Sequence, residues 1–458
     1  MSQREHWGSR LGFVMAAAGS AIGLGSLWRF PYIVGENGGG AFVLCYIAFT
    51  LLIATPLFIA ELLIGRKTQK GAVFAYQSLT KVTSNWKMVG WLNTIACFII
   101  LGFYSVVSGW CLSYILMSLT QFTQGKNPEE IRSVFTTLAS SSGINIFWLF
   151  LFIALNVAIV FSGIRKGIEK WSRILMPVLL IILFALFIYS CTLPGFSKAA
   201  KFLFYPDFAN LSPSGILNAL GMSFFTASVG LGIILTYGSY MKKNEDIPKT
   251  SLMVSGMTLL VSIFGALMIF PIVFTFGFSP EEGPGLVFQT LPILFAKMPG
   301  QVIISTVFFA LLLFTAITSS ISILEMLVAN FMELYNLSRE KATILCASIS
   351  FLIGIPCALS FSDSLFASWK SIYGMNFFDT MNYITASWFM PISGLLTVIF
   401  VGWILKKELI QSEFTSGTSW SKLFNPWFFF VKFIAPIGII LIILDQTGII
   451  NFNAIFGK

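Results

Sequence analysis

GSAIGLGSLWRF, residues Gly19–Phe30, is the stretch from which the rest of the chain can be read. Apolar residues flank it for long enough to cross a bilayer. Yet Gly19, Gly23 and Gly25 each cost a continuous helix about 1 kcal/mol relative to alanine. The helix is therefore expected to break in mid-membrane. A break frees N–H and C=O groups that lipid cannot satisfy, so it is tolerated only where protein or a watery cavity supplies partners. The pattern recurs downstream, where ASVGLG (Ala227–Gly232) repeats SAIGLG (Ser20–Gly25) inside another hydrophobic segment. Two interrupted helices at corresponding places in two halves point to a secondary transporter built from inverted repeats.

Composition agrees with that reading. The 458 residues are 56% hydrophobic and 10% charged, with a mean hydropathy of +0.85, which describes a polytopic membrane protein and not a globular one with a large core. About eleven spans are expected, near 10–34, 40–65, 88–120, 145–163, 168–191, 214–241, 250–277, 300–333, 341–358, 377–405 and 427–448. The net charge of +9 comes from short basic clusters between these segments, so positive-inside topology explains it better than nucleic acid does. A cytoplasmic N-terminus puts Arg66, Lys67, Lys70, Lys81 and Lys87, Arg165–Arg173, Lys242–Lys249, Arg339 and Lys341, and Lys406, Lys407 and Lys422 inside. Glu129, Glu130, Asp207, Glu281, Glu282 and Asp363 then fall outside. No cleavable signal is expected before the first span, because Arg4 and Arg10 are followed by an apolar segment too long for one. The six cysteines lie in or beside apolar runs without metal spacing and read as small buried hydrophobes. The proline-rich stretch 278–298 reads equally as a lid dipping back toward the membrane and as an amphipathic surface loop.

REHWGSRLGF (Arg4–Phe13), GSAIGLGSLWRFPY (Gly19–Tyr32), ENGGGAF (Glu36–Phe42), FFTASVGLG (Phe224–Gly232) and TSSIS (Thr318–Ser322) resemble the neurotransmitter:sodium symporter family, and within it the bacterial amino-acid transporters. The resemblance covers almost the whole chain in order. It implies an all-α polytopic fold with a five-plus-five inverted repeat over about 10–191 and 214–405, broken helices 1 and 6, and an additional helix at about 427–448, all in one transporter domain. The implied protein is a multi-pass plasma-membrane (bacterial inner-membrane) symporter, not an enzyme.

A zwitterionic amino acid needs donors for its carboxylate and acceptors for its ammonium. The second half of a broken helix starts with free N–H groups carrying about half a positive charge, which suits a carboxylate. The resemblance assigns these amides to Leu24 and Gly25 and adds the hydroxyl of Tyr104. The ammonium falls to carbonyls of Ala21, Phe225, Thr226 and Ser228. Gly23 stands where monoamine-transporting relatives carry an aspartate, which favours amino acids. The implied side-chain pocket is Ile100, Phe225, Leu231, Ser319 and Ile323, apolar apart from one hydroxyl, and so suits neutral, hydrophobic L-amino acids.

Sodium needs several oxygens. By the same resemblance one site is intact, with carbonyls of Gly19, Ile22 and Thr315 and hydroxyls of Thr318 and Ser319. The other keeps the Ala21 carbonyl and Thr226 but has Ser26 and Thr258 (Met257 if the register slips by one) where the family has asparagines. Chloride-type positions read Tyr46, Met222, Thr226 and Ser262, without a side-chain amide or a replacing acid. These two departures are electrostatically consistent with one sodium per substrate and no chloride requirement. The outer gate pairs Arg29 with Asn382, or with nearby Asp379, above an aromatic lid of Phe225 and Tyr104. The inner gate pairs Arg4 with Glu333, supported by Trp7 and Tyr240. Glu61 is expected to brace the break in helix 6, and Glu325 to be neutral and structural. The alternatives are proton coupling through Glu61 and an amino-acid sensor that does not transport.

Overall fold

The computed structural model describes residues 4–80, 85–278, 283–362 and 366–456. Lys81, Glu281, Glu282 and Asp363 of the charge pattern lie outside the described residues. Among those residues, nine helices are long and apolar enough to cross a membrane. In chain order with the two broken helices, the spans are α1 (Arg10–Ala21 and Gly25–Glu36), α2 (Gly40–Thr68), α3 (Lys87–Leu119), α4 (Ser142–Val160), α5 (Ile164–Cys191), α6 (Pro213–Thr226 and Ile233–Gly238), α7 (Ile247–Thr275), α8 (Gln301–Tyr335), α9 (Arg339–Leu359), α10 (Phe377–Ile404) and α11 (Ser421–Gln446). The halves of α1 meet at 49°. Neither half of α6, of 14 and 6 residues, is long enough to span alone. Ten of the eleven expected spans are thus present as apolar crossings, nine single helices and the bent α1 pair, and the expected α6 segment is two short helices.

Proline accounts for much of the local irregularity. Its ring collides with the carbonyl four residues back, and it has no N–H to donate there. Single π-turns at Gly25–Arg29, Thr50–Ala54, Ile384–Phe389 and Phe430–Ile434 each end two residues before a proline, namely Pro31, Pro56, Pro391 and Pro436. Widening the helix by one residue makes room for the ring.

Helices α3, α4, α8 and α9 pack on one another, while the first half of α1 lies against α5, α7 and α8. The second half of α6 is wedged between α2 and α8. That wedge depends on Gly65, where a Cβ would come within 1.9 Å of the Leu235 carbonyl oxygen. The stretch 278–298 is resolved by burial over its described part: Leu286, Val287, Phe288, Leu291 and Leu294 are at most 2% exposed. It is no surface loop. Phe288 stacks among Trp110, Tyr114, Phe135 and Phe309, and its carbonyl accepts from the Tyr114 hydroxyl at 2.7 Å. Of the cysteines, Cys97, Cys111, Cys346 and Cys357 are buried, but Cys191 is exposed at the end of α5.

Gly65→Val forces a side chain into the α2–α6 contact and is expected to destabilise the fold by about 1–3 kcal/mol. The control is Gly143→Ala, because a Cβ there meets nothing within 4 Å. Thermal denaturation in detergent should show a lowered midpoint for the first and an unchanged one for the second.

Candidate functional site

The break in α1 redirects two N–H groups. In a continuous helix Gly23 would donate to Gly19 and Ser26 to Ile22. Instead the Gly23 N–H bonds the Ala21 carbonyl and the Ser26 N–H bonds the Gly23 carbonyl, each at 3.1 Å. The carbonyls of Gly19 and Ile22 are thereby released. The Leu24 N–H donates to the Tyr104 hydroxyl at 3.1 Å, so α3 satisfies the start of the second half. Glycine is required here: a Cβ on Gly23 would sit 2.9 Å from the Ser319 hydroxyl oxygen, and one on Gly25 2.6 Å from the Phe225 ring.

In α6 the chain unwinds after Thr226 and turns through Ser228, Gly230 and Gly232, all at positive φ. Glu61 of α2 holds this turn, accepting from the N–H of Gly230 at 2.6 Å and of Leu235 at 3.3 Å. The two breaks also hold each other. The Ser20 carbonyl accepts from the Ser228 hydroxyl at 2.9 Å and from the Ser319 hydroxyl of α8 at 3.0 Å. Ser20 was not among the expected site residues. Its signal was present in the SAIGLG repeat, because one-residue offsets decide which carbonyl a break frees.

Ile100, Tyr104, Ser228, Leu231, Ser319 and Ile323 keep 4–8% exposure, whereas Ser320 and Ser322 of α8 keep none. None of the six carries a carboxylate, ammonium, guanidinium or imidazole group. Against Gly19 rests Thr318, whose Cβ would lie 3.0 Å from a Cβ added there. The Thr318 hydroxyl bonds the Phe314 and Thr315 carbonyls of its own helix at 3.1 Å. At the substituted positions, Thr258 bonds the Val254 carbonyl at 3.0 Å, while the fully buried Ser26 hydroxyl has no partner. Tyr46 bonds both Thr226 at 2.9 Å and Ser262 at 3.1 Å, and Thr226 also bonds the Met222 carbonyl at 2.9 Å.

The outer gate differs from expectation. Among the described residues no ion pair joins Arg29 to Asp379, and no bond joins it to Asn382. The guanidinium lies over the Phe225 ring at 4.7 Å, a cation–π contact that replaces the acid. Phe225 in turn rests on Gly25, so Arg29, Phe225 and the α1 break form one stack. A cavity of about 40 Å³ is lined by Arg29, Phe225, Met390 and Gln446.

The opposite side is sealed by the chain's own leader. Arg4 pairs with Glu333, whose two oxygens also accept from the Gly71 N–H at 2.9 Å. Arg4 donates to Ser239 at 2.5 Å and lies over the Tyr240 ring. Burial pulls its guanidinium down from the usual range, opposed by the field of Tyr240 and Glu325. Trp7, 1% exposed, donates through its indole N–H to the Tyr237 carbonyl at 3.0 Å. Glu325 forms an ion pair with Arg339, a partner that was not expected. Arg339 donates to both its oxygens, at 2.7 and 3.1 Å, and the Tyr240 hydroxyl adds a third bond at 2.6 Å. Glu169 was also missed, and it accepts from the Gly8 N–H and the Ser9 hydroxyl.

The family model described as the sodium:neurotransmitter symporter family matches residues 4–133 and 129–455. The chain belongs to that family. It is 38% identical over 455 residues to an uncharacterized sodium-dependent transporter, YhdH, of Bacillus subtilis, covering 99% of this chain and 100% of that one. An uncharacterized sodium-dependent transporter of Haemophilus influenzae is 36% identical, over 97% and 98% of the two chains. The crystal structure of MhsT in complex with L-phenylalanine superposes with a TM-score of 0.89 at 40% identity, over 97% of this chain and 100% of that one. This family member is a multi-pass membrane transporter and not an enzyme.

Trp7→Ala removes the plug that caps Tyr237 and Tyr240. Hydrogen exchange of backbone amides in 233–240 is expected to rise by at least tenfold, with exchange in the buried middle of α8 unchanged.

Proposed function

We propose that the chain is a sodium-coupled symporter of neutral L-amino acids with apolar side chains, working by alternating access in a bacterial inner membrane with its N-terminus in the cytoplasm. The two repeats are α1–α5 and α6–α10, with α11 outside them, and α1 and α6 rock against the scaffold. The observation that carries this reading is the convergence of the Leu24 N–H and the Tyr104 hydroxyl beside Gly23, within 3.1 Å of each other, at the positive start of a half-helix. Those groups and the Gly25 amide take the substrate carboxylate. The unwound carbonyls of Ala21, Phe225, Thr226 and Ser228, joined by that of Ser20, take the ammonium. Ile100, Phe225, Leu231, Ser319 and Ile323 surround the side chain, and the phenylalanine bound by MhsT fits this chemistry.

Sodium, as co-transported cargo, uses the released carbonyls of Gly19 and Ile22, the Thr315 carbonyl, and the hydroxyls of Thr318 and Ser319. A hydroxyl that donates its hydrogen to a carbonyl still offers lone pairs to a cation. We infer one sodium per substrate and no chloride. The hydroxyls of Ser262, Tyr46 and Thr226 can donate in series, ending on the Met222 carbonyl, which leaves no free donor for an anion. One observation favours a second sodium at Ala21, Ser26, Thr226 and Thr258: the orphaned Ser26 hydroxyl, a type of group that costs about 1–3 kcal/mol when left unpaired.

Thr318→Ala with Ser319→Ala is expected to abolish sodium-stimulated binding while the protein stays folded. Sodium titration of wild-type uptake should give a Hill coefficient near one, unaffected by replacing chloride. A coefficient near two assigns the Ser26 site as well. Uptake driven equally by a proton gradient without sodium would transfer coupling to Glu61, and binding without uptake would make the protein a sensor.

Tyr104→Phe removes a hydroxyl donor to a charged group and is expected to weaken substrate binding by about 1.5–3 kcal/mol. A ligand screen of wild type against the Phe variant measures this. Lysine, glutamate or a monoamine as best ligand would contradict the pocket assignment.

A further inference from the structure

Lys432 lies inside an apolar span, α11, and makes no ion pair among the described residues. Ionisable residues in such segments are costly and usually serve a purpose. Residue counting places Lys432 about 16 Å along the helix from Ser421. The tertiary structure places it elsewhere. Pro436 displaces the Lys432 carbonyl from the helical ladder, and the Trp403 indole N–H takes it at 3.0 Å. Trp403 belongs to the last turn of α10, which ends at Ile404, so Lys432 stands level with a helix end and not in mid-membrane. The helices touch closely there, since a Cβ on Gly402 would lie 3.0 Å from the Lys432 Cα.

The Lys432 ammonium lies 4.6 Å from the Trp403 ring centroid, 5.6 Å from Phe433 and 5.9 Å from Phe428. Lys407, at the start of the short helix Lys407–Thr415, brings a second ammonium to within 5.7 Å of the same Phe428 ring. Among the described residues no acid pairs with either charge. Glu408 is exposed and unpaired, and Glu413 on the same short helix is engaged with Arg66 and Lys67. Around the two lysines the surface is apolar and open: Trp403 is 57% exposed, Phe429 51% and Phe433 42%. The pattern is two uncompensated ammonium groups at a helix end, set in an aromatic collar that faces acyl chains. It matches the chemistry of an anionic phospholipid, whose phosphate takes the cations and whose chains take the rings.

We propose that Lys432 and Lys407, sharing the Phe428 ring beside Trp403, form a headgroup site for an anionic phospholipid on the membrane face of α10 and α11. The site needs only the membrane-spanning fold and is independent of what the central pocket carries.

Native mass spectrometry of the purified full chain, titrated with phosphatidylglycerol or phosphatidylcholine, tests it. Wild type should retain phosphatidylglycerol in preference to phosphatidylcholine. Lys432→Gln and Lys407→Gln should each weaken that retention by about fivefold. Lys432→Arg keeps the charge and should retain the lipid, which separates loss of charge from loss of fold. Lys166→Gln, elsewhere on the surface, should change nothing. Equal retention of the two lipids by wild type would overturn the proposal. So would undiminished phosphatidylglycerol retention in the double Gln variant, equally tight binding of inorganic phosphate, or a second copy of the chain occupying this face and excluding lipid.

Discussion

A backbone N–H or C=O exposed in lipid costs several kcal/mol, and the centre of this protein follows from how that cost is met. Breaking α1 and α6 creates free groups at one depth, and other helices satisfy them. Tyr104 of α3 takes the Leu24 N–H, Ser319 of α8 and Ser228 of α6 share the Ser20 carbonyl, and Glu61 of α2 takes two N–H groups of α6. The two broken helices are thus tied to each other as well as to the scaffold. Movement of one changes the partners available to the other, which is the mechanical requirement for a site reached from alternate sides.

Proline imposes the same constraint in milder form. Pro31, Pro56, Pro391 and Pro436 each follow a π-turn, and at Pro436 a side chain from a neighbouring helix meets the carbonyl that leaves the ladder. Trp403 does so for Lys432, and Trp427 bonds the carbonyl of Pro56 itself. Tryptophan serves well, because one N–H on a large apolar body closes a polar gap without adding exposed polarity.

The two ends of the pathway are closed by different physics. At the end closed by the leader there is a dense set of charged bonds: Arg4 with Glu333, Glu169 with Gly8 and Ser9, and beside them Arg339 with Glu325. At the other end a cation–π contact joins Arg29 to Phe225, and among the described residues no acid pairs with Arg29. A contact of that kind is worth about 0.5–2 kcal/mol.

The apolar spans and the two breaks were legible in the sequence, because hydropathy, glycine spacing and the SAIGLG–ASVGLG repeat are local signals. Resemblance then supplied roles for Tyr104, Thr318, Glu61 and the leader. The tertiary structure alone decided which groups answer one another. Ser20 and not Ala21 receives the hydroxyls, Arg29 meets a ring, Glu325 meets Arg339, and the described part of 278–298 is buried beneath its aromatic neighbours. These pairings join residues far apart in the chain, and they turn on a one-residue choice of carbonyl or on which faces of two helices meet. A hydrophobic pattern repeats every turn and cannot encode that choice; the packing of the helices does.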